Sequence, residues 1–409
     1  MKHSLIIVGG GAAGLTSALI AKDSGLDVAI IEGTDRIGKK ILTTGNGRCN
    51  ISNENINTNR YHSENPYFAG YTLDSFNLVQ TIDFFNRLGI PLVTLDGGKM
   101  FPMSLQASSV IDILRFAIEE KHIPVYTNTK AKEITKNNNG FKISTTGSDT
   151  YECDKLIIAT GGKSAPKTGS DGSGYTLAKQ LGHSVTSLVP ALVQLKLNYN
   201  RLKALSGVKF DGYAELFING ECVQKEFGEI LFTDYGISGP PILQLSRAVS
   251  YGLSKNSKVS LKIDMLPTIT CENLKGFLEN HWSVFGSRSL LDSFIGIIHK
   301  KIIPIILKQA NIEDFHKPCS DLKSEEKNAI YALLKQWQFE VSGTNSFSNA
   351  QVTAGGINTK EINPQTLESN LVPNLFFAGE ILDVDGDCGG FNLQWAWSSG
   401  AIAGKNASK

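Results

Sequence analysis

The hydrophobic positions fall into three regimes along the chain. At the amino end, Leu5-Ile6-Ile7-Val8 is an unbroken apolar, largely β-branched run, the pattern of a central parallel strand buried on both faces. Apolar residues then recur at helical spacing through Leu15, Ala18, Leu19 and Ala21, and Val28-Ala29-Ile30-Ile31 supplies a second buried strand. Helical periodicity returns at 75–88 and 108–120, followed by a strand at 123–126, a hairpin over 141–153 around Thr146-Gly147-Ser148-Asp149, and a buried strand over 155–159. From about 191 to 264 strict alternation takes over, as in Leu195/Leu197, Ala214/Leu216/Ile218 and Val259/Leu261/Ile263, and 265–343 reads as helical. A buried strand resumes at 375–378. This order predicts an α/β, Rossmann-like domain built from 1–190 and 344–409, split by an inserted domain over 191–343 that is β-rich first and helical afterwards.

Between the first strand and the first helix stand Gly9-Gly10-Gly11-Ala12-Ala13-Gly14. In a strand–turn–helix unit Gly9 permits the tight turn, Gly11 lets backbone approach a pyrophosphate, and Gly14 lets the helix pack on the strand. The free N–H groups of the helix start, from Gly11 through Ala12 and Ala13, then face the phosphates together with the positive end of the helix dipole. Glu32, followed by Gly33, closes the second strand; a carboxylate there accepts hydrogen bonds from an adenosine ribose and repels a 2′-phosphate. An ordinary βα turn requires one glycine rather than four, so the ordered set predicts a dinucleotide site.

Composition narrows the classes. The 409 residues suffice for two to three domains at ~150 each, and 41% apolar with 9% aromatic content describes a packed globular chain. Forty basic and thirty-nine acidic residues leave +1, so no general field gathers a polyanion and nucleic acid is not an expected partner. Six cysteines stand singly, without zinc spacing, as in a reduced, cytoplasmic protein. The opening apolar run is too short for a secretory signal, and 294–307 is broken by His299-Lys300-Lys301 and Pro304, so no membrane span is expected.

Past Glu32, a plain NAD domain would resume its alternation of strand and helix. The chain runs instead through Gly38-Lys39-Lys40 and Thr43-Thr44-Gly45-Asn46-Gly47-Arg48-Cys49-Asn50, a glycine-rich polar loop of the kind a cofactor extending beyond its pyrophosphate requires. Lys39, Lys40 and Arg48 have the charge to neutralise phosphate or a flavin edge, although each reads equally as a solvated loop cation. Together with Ala159-Thr160-Gly161-Gly162, Thr168-Gly169-Ser170-Asp171-Gly172-Ser173-Gly174, Gly228-Glu229-Ile230-Leu231-Phe232-Thr233, Thr353-Ala354-Gly355-Gly356 and the segment from Phe377-Ala378-Gly379-Glu380 to Trp395, this loop resembles the bacterial NAD(P)/FAD-dependent oxidoreductase family that includes aminoacetone oxidase and 3-dehydro-bile-acid delta(4,6)-reductase. The likeness spans the chain and departs at Asp234, where histidine would be expected.

That resemblance implies FAD, held by the glycine turn, Glu32, Gly33, Lys39, Lys40, Thr44, Gly45, Gly47, Arg48, Cys49, Asn50, Ala159, Thr160 and Gly161. It also implies that Gly379, Glu380 and Asp383 approach the ribityl or phosphate region, and that Gly390, Asn392, Leu393 and Gln394 present backbone to the ring. A helix amino terminus there stabilises the negative charge that two-electron reduction places on the flavin. Asp383, Asp385 and Asp387 alternate like a calcium loop, but Gln394 stands where the bidentate glutamate is needed. Trp395 and Trp397, ~200° apart on a helix, read as core. No histidine sits in a catalytic motif, so the reaction is left at hydride transfer between an organic small molecule and flavin. Oxygen in an aminoketone oxidase and NAD(P)H in an enone reductase are the alternative redox partners; a tRNA-modifying enzyme and a non-catalytic flavin protein are the other classes.

Overall fold

The computed structural model describes residues 1–409, which separate into two compact units, one of Met1–Val189 with Phe347–Lys409 and one of Pro190–Ser346. In the first unit the apolar runs form a seven-stranded sheet. Val125–Tyr126, Val28–Ile31, Lys2–Val8, Thr150–Ile158 from Glu152 onward and Leu375–Phe377 lie side by side and parallel, with Val8 opposite both Ile31 and Ile158, and Ile158 opposite Phe377. All of these strands end level, and in such sheets the crevice beyond the carboxyl ends is where ligands bind. The expected strand at 155–159 continues the second strand of the expected hairpin: Thr150–Ile158 pairs antiparallel with Gly140–Thr145 over Thr150–Cys153, and parallel with Lys2–Val8 over Glu152–Ile158 and with Leu375–Phe377 over Leu156–Ile158. Helix Leu78–Arg87 starts on an Asn77/Gln80 capping box, which places its boundary inside the predicted 75–88.

The first and last helices pack intimately. A Cβ at Gly400 would lie 2.4 Å from the Ala13 carbonyl, one at Gly404 2.5 Å from that of Ser17, and the Ser17 hydroxyl donates to the Gly400 carbonyl at 2.9 Å. Glycine at these two positions of Phe391–Ala407 therefore lets its backbone touch Ala12–Asp23.

The second unit closes a six-stranded barrel in the order Leu195–Leu197, Gly236–Ser238, Glu221–Phe232, Lys209–Ile218, Val259–Asp264, Trp337–Thr344. Ala214, Leu216, Val259, Leu261 and Ile263 all point inward, as their alternation requires, against a cluster of Phe232, Trp337 and Phe339 with ring centroids 4.8–5.7 Å apart. Helix Pro240–Ser254 lies within the stretch read as β-rich, and the closing strand Trp337–Thr344 within the stretch read as helical.

Candidate functional site

Each glycine of the opening turn meets a different constraint. Gly9 has φ +108°, and a Cβ there would lie 2.5 Å from the Ala159 carbonyl; at Gly14 it would lie 1.9 Å from the Gly9 carbonyl. Around Gly11 nothing lies within 4 Å of an added Cβ. Helix Ala12–Asp23 starts on Gly11 without a side-chain cap and without an acid in its first turn, so the N–H groups of that turn have no side-chain acceptor. Glu32 is buried, its two carboxylate oxygens accepting from Gly10 N–H at 2.8 Å and Thr34 N–H at 2.7 Å. Each oxygen retains a further lone pair for a ribose hydroxyl. A Cβ at Gly33 would lie 3.6 Å from the Lys130 side chain, an ordinary contact.

Ala159 ends beside this turn, and Thr160 Cα would lie 3.0 Å from a Cβ on Gly9. Thr160 Oγ1, Ser170 Oγ and the Tyr175 hydroxyl are each buried without a hydrogen-bond partner. Gly161 abuts Ser170, and Gly169 brings the same segment toward a Glu32 oxygen, which a Cβ would approach to 3.6 Å. Burial, then the charges of Glu380 and Asp383, push the Tyr175 phenol well above its ordinary range, so it stays a donor. Buried polar groups ordinarily find partners; unpartnered ones at Thr160, next to Gly9, and at Ser170, which follows the Gly169 that abuts Glu32, fit a polar ligand such as a dinucleotide. Ser170 escaped the sequence reading as a single site residue, its only signal being the glycine-rich run around it.

The loop after Glu32 is less open than its composition suggests. Lys39 pairs with Asp35 at 2.6 Å and, with Arg36, holds that carboxyl down to about 2. Lys40 reaches across the sequence to Glu380, also at 2.6 Å. Glu380 in turn accepts the Thr353 N–H at 2.8 Å, while Thr353 Oγ1 accepts from the N–H groups of Lys163 and Ser164 at 2.8 and 3.0 Å. Neither lysine is an uncompensated cation. Thr44 Oγ1 donates to Ile41 O at 2.7 Å, Gly45, Asn46 and Gly47 run consecutively through left-handed backbone, and Arg48 stacks 4.9 Å over Phe101. Cys49 is buried at φ +61°, and burial pushes its thiol up to about 12, so it is no thiolate nucleophile. Asn50 Oδ1 is buried without a partner.

At the last helix, Gly390 (φ +104°) is wedged so that a Cβ would stand 2.4 Å from the Ser52 carbonyl and 3.0 Å from Asn50 Oδ1. No side chain caps this helix either. Asn392 pins the preceding loop, accepting from Gly386 N–H at 2.8 Å and donating to Gly386 O at 2.7 Å. Leu393 is partly buried. Gln394 departs from expectation: its N–H already donates to the Gly390 carbonyl at 3.0 Å, and its side chain is consumed in the core by Ser52, Thr81 and Ser398. As the fourth helical residue it makes the first intrahelical bond, so Phe391, Asn392 and Leu393 are left to offer free backbone donors. Asp383 accepts from Glu64 N–H at 3.0 Å, and Gly379 N–H donates to Ser399 at 2.9 Å with its Cα facing Ala13. The indoles of Trp395 and Trp397 donate to the carbonyls of Gly379 and Ile51, and both rings are core.

Sheet, turn and acid together define a Rossmann-type dinucleotide-binding fold, and the family and relatives that this chain matches make the protein an FAD-dependent oxidoreductase. It belongs to the family described as HI0933-like protein Rossmann domain, whose model matches residues 3–406. The chain is 38% identical over 405 residues to the 3-dehydro-bile acid delta(4,6)-reductase of Clostridium scindens, covering 98% of each. It is 32% identical over 401 residues to the ribosomal RNA dihydrouridine synthase of Escherichia coli, covering 97% of this chain and 96% of that one. Among solved structures, the 3-ketosteroid-delta4-(5alpha)-dehydrogenase of Rhodococcus jostii RHA1 shares the fold at TM-score 0.50 and 13% identity, over 100% of this chain and 97% of that one. A flavocytochrome c3 fumarate reductase does so at TM-score 0.50 and 16% identity, over 100% and 78%. No helix is long and apolar enough to cross a membrane.

Proposed function

We propose that this enzyme reduces a carbon–carbon double bond conjugated to a carbonyl in an organic small molecule, with NAD(P)H as the transient electron donor. The observation that carries this reading is 38% identity spanning 98% of both this chain and a reductase whose name specifies a 3-oxo compound unsaturated at 4 and 6. The same chemistry underlies the second relative's name, because dihydrouridine is uridine saturated at the 5,6 bond, which is conjugated to the 4-carbonyl. Two different molecules thus present one electrophile.

Bound FAD supplies the two-electron hydride chemistry. The chain's own contribution is to bind, orient and polarise. Gly11 would leave room for the pyrophosphate against the N–H groups of the first helix, Glu32 would take the adenosine ribose, and the unpartnered hydroxyls of Thr160, Ser170 and Tyr175 would offer hydrogen bonds to the cofactor. The uncapped N–H groups of Phe391, Asn392 and Leu393 would hold the isoalloxazine and would favour its reduced, more negative state without rearranging. Lys40 and Glu380 position the intervening loop rather than neutralise phosphate. The barrel unit is assigned substrate recognition.

Anaerobic stopped-flow spectroscopy tests the reading. NADH or NADPH should bleach the flavin, and a 3-oxo-4,6-diene bile acid should restore its colour. Bleaching by aminoacetone with reoxidation only by oxygen would replace the reductase by an aminoketone oxidase. The dihydrouridine synthase relatives support a second reading, in which the alkene is a uracil in RNA. The net charge of +1 weighs against it, since RNA affinity rests on phosphate neutralisation. Reoxidation by unmodified ribosomal RNA, and not by the steroid, would establish it.

A further inference from the structure

Reducing a conjugated alkene needs a proton as well as a hydride, and nothing described so far donates one. The strand Tyr61–His62 pairs antiparallel with Asp385–Gly386, His62 opposite Asp385, and the Asp387 N–H continues the pairing to the Arg60 carbonyl at 2.9 Å. This register delivers the Asp387 carboxylate to an imidazole and a guanidinium across a sequence separation of more than 300 residues: Oδ1 lies 2.9 Å from His62 Nε2 and Oδ2 lies 3.2 Å from Arg60 Nη1. The carboxylate is 8% exposed and the imidazole 35%, so the acid is fixed inside and the ring faces outward. Its other nitrogen, Nδ1, makes no hydrogen bond within the protein.

The pair is also tied to the start of the last helix. Asn392, in its first turn, donates to the backbone carbonyls of Gly386 and Asp387 at 2.7 and 3.3 Å. The Phe391 ring carries the Arg60 guanidinium at 5.7 Å and the Tyr61 ring edge-on at 6.1 Å. The neighbouring Tyr61 hydroxyl is a poor rival as donor, because burial, reinforced by Asp387, pushes its phenol up.

We propose that His62, oriented by Asp387, is the proton donor of the reduction; this rests on the enone-reductase reading above. Hydride bonds to the β-carbon and the π pair moves toward the carbonyl oxygen. The α-carbon then takes the proton from Nδ1 of the His62 imidazolium, whose N–H bond breaks to leave neutral imidazole on the Asp387 carboxylate. Solvent reprotonates the exposed ring, and NAD(P)H supplies the electron pair. The net change consumes one NAD(P)H and one proton for each double bond. Asp387 is a positioning residue: it fixes the ring and compensates the imidazolium charge, as a buried carboxylate does for a general acid–base histidine.

The test uses FAD-loaded enzyme reduced photochemically without oxygen and mixed with one of two alkenes. The bile acid enone needs the proton, whereas 1-nitrocyclohexene accepts hydride to give a stable nitronate without one. His62→Gln retains an N–H for Asp387 but has no proton to transfer. It should slow reoxidation by the enone about 100-fold, keep reoxidation by the nitroalkene within threefold of wild type, and leave flavin content and bleaching by NAD(P)H unchanged. In His62→Ala, added imidazole should recover at least tenfold of the lost enone rate, a readout that decides the matter by itself if wild type does not accept the nitroalkene. Equal slowing with both alkenes, an enone rate within threefold of wild type, or no recovery with imidazole would each overturn the assignment. Wild-type enzyme reoxidised by neither alkene would instead overturn the reductase reading.

Discussion

The first helix and the last helix both begin on glycine and neither start carries a side-chain cap, yet they are built in opposite ways. Gly11 opens onto free space, with only the Glu32 carboxylate gathering the adjacent Gly10 N–H. Gly390 is clamped, its Cα against the Ser52 carbonyl and its loop pinned by Asn392 and by Asn53, whose amide donates to the Gly389 carbonyl at 2.9 Å. Under the proposed function the contrast has a reason: a helix end gripping a flexible diphosphate would need vacancy, because the ligand would complete the hydrogen bonding. One tuning a rigid ring would need its donors fixed beforehand, since a dipole that must reorient during electron transfer gives up part of its stabilisation.

The comparison breaks most visibly where glycine is required by backbone. Gly14→Ala would place a methyl group 1.9 Å from the Gly9 carbonyl, where no side chain can move aside. The penalty should exceed the ~1–3 kcal/mol of ordinary overpacking, and the expected outcome is protein without a cooperative melting transition and without flavin absorbance. Gly390→Ala combines a left-handed backbone, at about 1–2 kcal/mol, with a 2.4 Å approach to Ser52 O. It should fold with a lowered Tm by scanning fluorimetry, retain FAD through the intact first turn, and show a more negative flavin potential in a dye-equilibration titration. A variant with unchanged potential would remove the last helix from the flavin's electrostatics.

The first of these sites was legible because strand, glycines, helix, second strand and acid follow one another within 32 residues, so local patterning alone orders them. The second was legible only through resemblance, and imperfectly: backbone presentation was assigned to Gln394, whose N–H is already spent inside the helix. Spacing shows that a residue is near a helix start, not whether it is the third or the fourth. Partners distant in sequence left no trace, as with Lys40 and Glu380, 340 residues apart, and His62 and Asp387, 325 apart. In the barrel unit, alternation marked individual strands, but closure depends on Leu195–Leu197 meeting Trp337–Thr344. The two stretches are unrelated by any local rule, since β pairing is chosen by tertiary register.

The sharpest version of the contrast is also the mildest substitution. Gly11 sits at φ −83°, ψ −169°, an extended conformation open to any residue, and its Cβ direction is empty. If that emptiness is only slack packing, Gly11→Ala changes nothing, or raises the Tm of the FAD-free protein slightly by restricting the unfolded chain, by ~0.4–1 kcal/mol. If the space is where the pyrophosphate lies against backbone, the same methyl group must push the cofactor away from the helix N–H groups. The Tm without FAD should then hold or rise while the FAD dissociation constant weakens about tenfold, ~1.4 kcal/mol, measured by flavin fluorescence quenching on titration into apoprotein. A loss of stability like that of Gly14→Ala would mean that the turn tolerates no side chain anywhere. Unchanged affinity would place the pyrophosphate elsewhere, and the vacancy at the first helix would lose its meaning.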